Sequence, residues 1–298
     1  MKQNRVFYFL ILGAGMAFGL SSCGSSSNGN GEKSAEEFKN AENSLQSEIQ
    51  EVVYNIPSPS EIPYMIQATG AEFNQALVNP RSKVDQYLTR SDKTALNLGV
   101  FATDIGYLSS YDKTQEAIDY VNSSKQLADN LGVIGPFDLG ILKRFESNIG
   151  NQDSLVYLLD TSIQRTQDYL NNDNRNKTAA LILTGSFIEG LYISTGLVNS
   201  YPKDILPEDS RNLILTPVIR VILQQKKSVS ELTTMLGTLE QTDPVSSILN
   251  ELKTLQGVYE ELNIEEKIKN NRADLMLSDK NLVEISAIVK RVRNSITQ

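Results

Sequence analysis

The sequence predicts an all-α fold, built from antiparallel helical hairpins that form a bundle or a short solenoid-like array. Apolar residues recur three and four positions apart through most of the chain, which is the spacing of one helix face. No alternating run of β-branched residues is long enough to indicate a sheet. Before two closing helices, we predict helices over 34–54, 80–90, 92–111, 113–131, 136–147, 153–171, 175–199 and 208–236.

The two closing helices have the clearest patterns. The last one has a single apolar stripe, formed by Leu282, Ile285, Val289, Val292 and Ile296. The helix before it has a stripe from Val245 to Leu262, and Asp243-Pro244 predicts an N-cap followed by proline at the first helical position. Asp279, near the start of the last helix, can interact favourably with the helix dipole. We expect the two helices to be antiparallel neighbours.

Residues 34–298 are predicted to form one helical domain, which a proline-rich segment at 56–63 interrupts as a semi-rigid break. Residues 85–111 and 167–195 resemble each other, which suggests a weak repeat of one hairpin unit. At an offset of 84 residues the matches are Lys93-Thr94-Ala95 with Lys177-Thr178-Ala179, Gly106 with Gly190, and Ser110 with Ser194. A true duplication implies pseudo-symmetric packing of two hairpins, and a chance match is the alternative.

The first 24 residues form a pattern distinct from the helical body. A charged start with Lys2 and Arg5 precedes an apolar stretch over 6–20, and Leu20-Ser21-Ser22-Cys23-Gly24 follows. This pattern resembles the bacterial lipobox. The resemblance implies that residues 1–22 are a signal peptide cleaved between Ser22 and Cys23, and that Cys23 carries a diacylglycerol and an N-acyl chain. Two or three acyl chains anchor a protein stably, whereas one chain does not.

Residues 23–33 are polar and of low complexity, which predicts a flexible tether. The segment resembles the tethers of Bacteroidota-type lipoproteins, some of which carry an acidic cluster after the cysteine that directs them to the cell surface. Here the first acid is Glu32. We therefore expect the periplasm-facing leaflet of the outer membrane, with surface display as the alternative.

Composition excludes several classes of function. The chain has no histidine, and Cys23 is its single cysteine, so Ser-His-Asp and Cys-His catalysis, histidine-based zinc sites and histidine-ligated haem are excluded. Without residues 1–22 there are 26 basic and 36 acidic side chains, a net charge of −10, which argues against nucleic acid as a partner. We expect no metal, and no cofactor apart from the covalent lipid.

Phe145-Glu146-Ser147 resembles the Glu-Ser catalytic segment of lytic transglycosylases, which use one glutamate as acid and base. The other motifs of that family have no counterpart in the chain. We therefore expect a protein that is not an enzyme, with Glu146 a solvated residue near a helix end. A carboxylate-based cell-wall enzyme is the less favoured alternative.

Two strongly apolar helices each contain one acid beside a glycine, Asp104 and Glu189. A buried carboxylate needs a partner, so one hypothesis is an interior cluster with Arg220, flanked by Tyr107 and Tyr192, that lines a ligand pocket between hairpins. The favoured interpretation is two acids at the edge of apolar stripes and a structural ion pair.

These features predict a lipid-anchored envelope lipoprotein with a non-catalytic scaffold or adaptor role, bound to an envelope protein of unknown identity. A ligand-binding lipoprotein with a pocket between hairpins is the alternative. An exposed apolar groove favours the first, and a closed cavity lined by Asp104 or Glu189 favours the second.

Overall fold

The computed structural model describes residues 57–133, 154, 157, 161, 176–200, 208–262 and 280–298, and within 208–262 it describes side chains from Leu215 onward. All of them belong to one compact unit, Asn40–Gln298. The helices in these ranges are α1 (Glu61–Ala68), α2 (Val84–Tyr87), α3 (Ser91–Ser110), α4 (Thr114–Leu131), α5 (Asn176–Ser200), α6 (Glu208–Gln224), α7 (Lys226–Gly237), α8 (Val245–Glu261) and α9 (Lys280–Thr297). The described residues contain no strand, which confirms the all-α prediction.

Three local predictions differ from the structure. Helix α1 begins inside the expected proline-rich break, and Pro63 fits there because the first turn of a helix needs no amide donor. The helix expected over 80–90 is a 3₁₀ turn, Arg81–Lys83, followed by the single turn α2. The helix expected over 208–236 is divided at Gln225, whose amide donates to the carbonyl of Ile222 at 3.2 Å.

The start of α8 also differs from the prediction. Pro244 is the residue before the helix, its peptide bond with Asp243 is cis, and the N-cap position has no side-chain hydrogen bond. The capping role expected of Asp243 is therefore wrong. Its carbonyl oxygen instead accepts a hydrogen bond from Arg90.

The helices predicted over 34–54 and 136–147 lie outside the described residues, as do residues 1–33 with Ser22 and Cys23, Glu146 and Asp279. Of the helix predicted over 153–171, only residues 154, 157 and 161 are described, and all three are helical.

Helices α3 and α5 form the centre of the core and are buried along most of their length. They run parallel, because their N-terminal residues line one cleft and their C-terminal halves bring Asp104 and Glu189 together. Their backbones touch where Gly99 faces Ile182 and Gly185 faces Leu96, and a Cβ at either glycine would overlap the opposite carbonyl oxygen. Glycine is therefore required at this crossing. The two repeat segments thus lie side by side, while their duplication stays a prediction.

The other helices cover this central pair. Helix α4 returns antiparallel along α3, since Thr94 and Asn130 are hydrogen-bonded at 3.2 Å, and it ends at Gly132 in the left-handed conformation. Helix α1 packs on α3, α5 and α6, while α9 packs on α5 and α8. The predicted stripe of α9 is buried at Leu282, Ile285, Val289, Val292 and Ile296, which confirms its orientation.

Helix α5 is the one described helix that is long and apolar enough to cross a membrane by length and composition. Most of α5 is covered by α3, α6 and α9, and Glu189 lies near its middle. A helix at the centre of a helical core passes the same test, because it is apolar on all sides.

Candidate functional site

The most unusual feature of the core is a pair of fully buried acids, Asp104 on α3 and Glu189 on α5, both 0% exposed. The parallel packing of α3 and α5 places the two carboxyl groups within hydrogen-bonding reach of each other. Buried carboxylates are rare unless a base or several hydrogen bonds neutralise them. The prediction that these acids lie at the edge of apolar stripes is therefore wrong.

The base of this cluster is Arg293 of α9. Its Nε donates to Glu189 Oε2 at 3.1 Å, and its Nη2 donates to Glu189 Oε1 at 3.2 Å, a bidentate pair. The guanidinium lies 4.5 Å from the ring centroid of Tyr192. Its Nη1 is 3.4 Å from the hydroxyl of Thr297, one turn further along α9. Glu189 is therefore part of a buried ion pair, but its base is Arg293 and not Arg220, and Tyr192 lies beside the guanidinium.

Arg220, the base expected in this cluster, is exposed on α6. It follows two buried residues, Val218 and Ile219, so the sequence around it does not reveal which face is solvated. Arg293 has a clearer position, because Val289 precedes it by four residues and Ile296 follows it by three. An arginine in register with an apolar stripe was therefore the signal that could have identified the buried base.

Tyr107 is buried but lies in a separate aromatic cluster. Its ring stacks on Phe73 with centroids 5.1 Å apart and meets Tyr111 edge-on at 5.1 Å. Its hydroxyl accepts the amide hydrogen of Asn74 at 2.9 Å, and burial raises the pKa of Tyr107 to about 12. Tyr107 therefore positions the chain before α2 and is not a neighbour of the acid pair.

Asn79 connects the acid pair to the surrounding helices. Its amide donates to Asp104 Oδ2 at 3.2 Å, and its carbonyl oxygen accepts from the Tyr120 hydroxyl of α4 at 2.7 Å. Its side chain is hydrogen-bonded to the Tyr87 hydroxyl, which also reaches the carbonyl oxygen of Thr297 at 3.2 Å. The C-terminal end of α9 is thus held by buried polar groups from α2, α3 and α5.

The electrostatics of the cluster follow from its composition of two acids and one base. Burial raises the pKa of Asp104 well above its usual range, and the Glu189 charge adds to the rise. Burial also raises the pKa of Glu189, and its ion pair with Arg293 opposes the shift. Burial would lower the pKa of Arg293, but the ion pair outweighs this effect and the pKa is raised. Arg293 therefore stays charged and neutralises one carboxylate.

A surface cleft of about 380 Å³ lies between the N-terminal ends of α3 and α5. It is lined by Arg90, Ser91, Asp92, Lys177, Thr178 and Leu181. Arg90 and Asp92 are paired within the cleft, and the Lys177 ammonium is 3.9 Å from Glu240 Oε2. This cleft is an open space between α3 and α5, the long helices of the two predicted repeat segments, whereas the acid pair is enclosed.

The described residues contain no group of three histidine, cysteine or acidic side chains arranged to hold a metal ion. Comparison of the chain with protein-family models, with curated proteins and with solved structures gives no match.

Proposed function

We propose that this protein is a lipid-anchored lipoprotein of the bacterial envelope whose helical body is a non-catalytic scaffold or adaptor for an envelope protein. The observation that carries the anchoring is the Leu20–Cys23 sequence after a charged start and an apolar stretch. The arrangement of the described acids supports a structural body. Asp104 and Glu189, the two fully buried acids, are enclosed and engaged by Arg293 and Asn79.

The tether limits where the body can act. Eleven residues, 23–33, span at most about 40 Å when fully extended, so the helical domain stays close to the membrane that holds the lipid. With a net charge of −10 after residue 22, the domain is repelled by anionic lipid and by nucleic acid. We therefore propose an envelope protein as the partner, reached from the periplasm-facing leaflet of the outer membrane, with no bound cofactor besides the lipid.

Replacement of the lipidated cysteine tests the anchor. The variant Cys23→Ala should move the folded body from the membrane fraction to the soluble fraction of cell lysates, because it removes every acyl chain. The matched control Ser25→Ala alters the tether next to the lipid site and should leave the protein in the membrane fraction. Metabolic labelling with a fatty acid should mark the control and not Cys23→Ala. Membrane retention of the unlabelled variant would contradict the lipid anchor as the sole attachment, and the size of the retained protein would show whether the uncleaved apolar stretch 6–20 holds it.

Crosslinking in intact cells, followed by purification and mass spectrometry, tests the scaffold role. A stoichiometric protein partner supports it. A preparation that contains only a bound small molecule supports the ligand-binding alternative, and the cleft at Arg90 and Lys177 is the place where we would then expect the molecule. Loss of that molecule in Lys177→Gln, with an unchanged fold, would establish the cleft as its site.

A further inference from the structure

The buried cluster contains one acid more than its base can neutralise. Asp104 and Glu189 are both completely buried, and of these two acids Arg293 donates hydrogen bonds only to Glu189. If both carboxyl groups were ionised, the core would hold a net negative charge without access to water. A buried charge without a partner is strongly destabilising, so one of the two acids is expected to be neutral.

The hydrogen bonds of Asp104 also indicate that the two acids are not both ionised. Oδ2 accepts the amide hydrogen of Asn79, whereas the fully enclosed Oδ1 receives a hydrogen from no group among the described residues. The neighbouring carboxyl group is that of Glu189, which offers only acceptor oxygens when it is ionised and paired with Arg293. Contact between two carboxyl groups is a hydrogen bond only when one of them carries a proton.

We propose that Asp104 and Glu189 form a proton-binding site, in which the Asp104 carboxylic acid keeps its proton and donates a hydrogen bond to the Glu189 carboxylate, so that folding of the core takes up one proton. The proton comes from water and forms a bond to a carboxylate oxygen of Asp104. With that proton in place, the acid, the carboxylate and the guanidinium together are neutral.

Among the described residues, the other titratable groups that face this site are Tyr192 of α5 beneath the guanidinium, Tyr87 of α2 and Tyr120 of α4. Burial raises the pKa of Tyr87 and of Tyr120, and both stay neutral at physiological pH. Asp104 is therefore the group expected to gain a proton when the protein folds near neutral pH.

The direction of the pH effect follows from linkage. In the unfolded chain Asp104 ionises near its usual pKa of about 3.9, whereas in the folded protein it keeps its proton at higher pH. The stability that this group contributes is complete below the unfolded value and decreases as the pH rises toward the folded value. Between these two pKa values, this one group should increase the unfolding equilibrium constant about tenfold per pH unit.

Asp104→Asn tests the site, because an amide can donate to Glu189 without holding a titratable proton. Above about pH 5, the ratio of the wild-type to the variant unfolding constant should increase about tenfold per pH unit until the pH reaches the folded pKa of Asp104. The control Asp129→Asn removes an exposed acid of α4. The ratio of the wild-type to the Asp129→Asn unfolding constant should not change across the same pH range. Equal pH dependence of wild type and Asp104→Asn would overturn the proposal.

Infrared spectroscopy of the full-length wild-type protein tests the proposal even if Asp104→Asn does not fold. At neutral pH, the folded protein should show the carbonyl band of one protonated carboxylic acid, and thermal unfolding should remove it. The absence of the band from the folded wild type would show that both acids are ionised and would overturn the proposal.

Discussion

Helix α9 makes two arginine–carboxylate pairs of nearly the same geometry in opposite environments. Arg291 binds Glu251 of α8 with two hydrogen bonds of 3.2 and 2.8 Å, and Arg293 binds Glu189 of α5 with two of 3.1 and 3.2 Å. The Arg291 side chain is 55% exposed, while that of Arg293 is 9% exposed. Because hydrogen-bond geometry is matched, burial is the variable that distinguishes the inner face of α9 from its outer face.

The comparison shows that a buried ion pair and an exposed ion pair contribute differently to the stability of the fold. On the outer face, water replaces either partner at little cost, and the pair contributes little to stability. On the inner face, water cannot reach the partner that is left behind, so each residue depends on the other. We infer that the inner pair determines how α9 docks, whereas the outer pair adds little to the stability of the docked helix.

Replacement of each arginine by methionine gives the largest expected difference. Arg293→Met should lower the free energy of unfolding by about 3–5 kcal/mol, because Glu189 is left without its base. Arg291→Met should lower it by less than about 1 kcal/mol. Urea unfolding of the purified full-length variants, followed by circular dichroism, measures both. Equal losses would show that burial does not decide the contribution of the pair.

Two glycines extend the comparison from charge to packing. Gly185→Ala should cost about 1–3 kcal/mol or more, because the added Cβ overlaps the carbonyl oxygen of Leu96 at the crossing of α3 and α5. Gly257→Ala on α8 has open space around the new Cβ and should stabilise the protein by about 1 kcal/mol through helix propensity. Thermal unfolding measures both changes. A tolerated alanine at Gly185 would mean that the two central helices can separate without loss.

The smallest expected effect is that of salt, which should weaken the Arg291 pair and leave the Arg293 pair unchanged. Raising the ionic strength to about 1 M should remove most of the difference between wild type and Arg291→Met, because the Debye length falls to about 3 Å around exposed charges. The loss in Arg293→Met should persist, since salt cannot enter the space between α5 and α9. Urea unfolding at low and high salt measures this. A loss in Arg293→Met that disappears with salt would indicate that the buried pair is reached by solvent.

The sequence predicted the elements more completely than their tertiary partners. The bounds of α3, α4 and α5 lie within about one residue of the prediction, because long periodic segments are the most reliable signal. The division at Gln225 was missed, since no glycine or proline marks it and Pro217 lies inside α6. The burial of the two acids was only the less favoured of two hypotheses, because it depends on a base far along the chain, which local periodicity cannot reveal.

The separation of Glu189 from Arg293 along the chain has a consequence for biosynthesis. The glutamate leaves the ribosome 104 residues before the arginine that neutralises it, so a nascent or stalled chain has an acid on its most apolar helix and no counter-ion. Closure of the core must wait for the last helix, a contact of high sequence separation that forms late. A protein that loses α9 to proteolysis is returned to that incomplete state, which marks it for removal by proteases that act on unfolded chains.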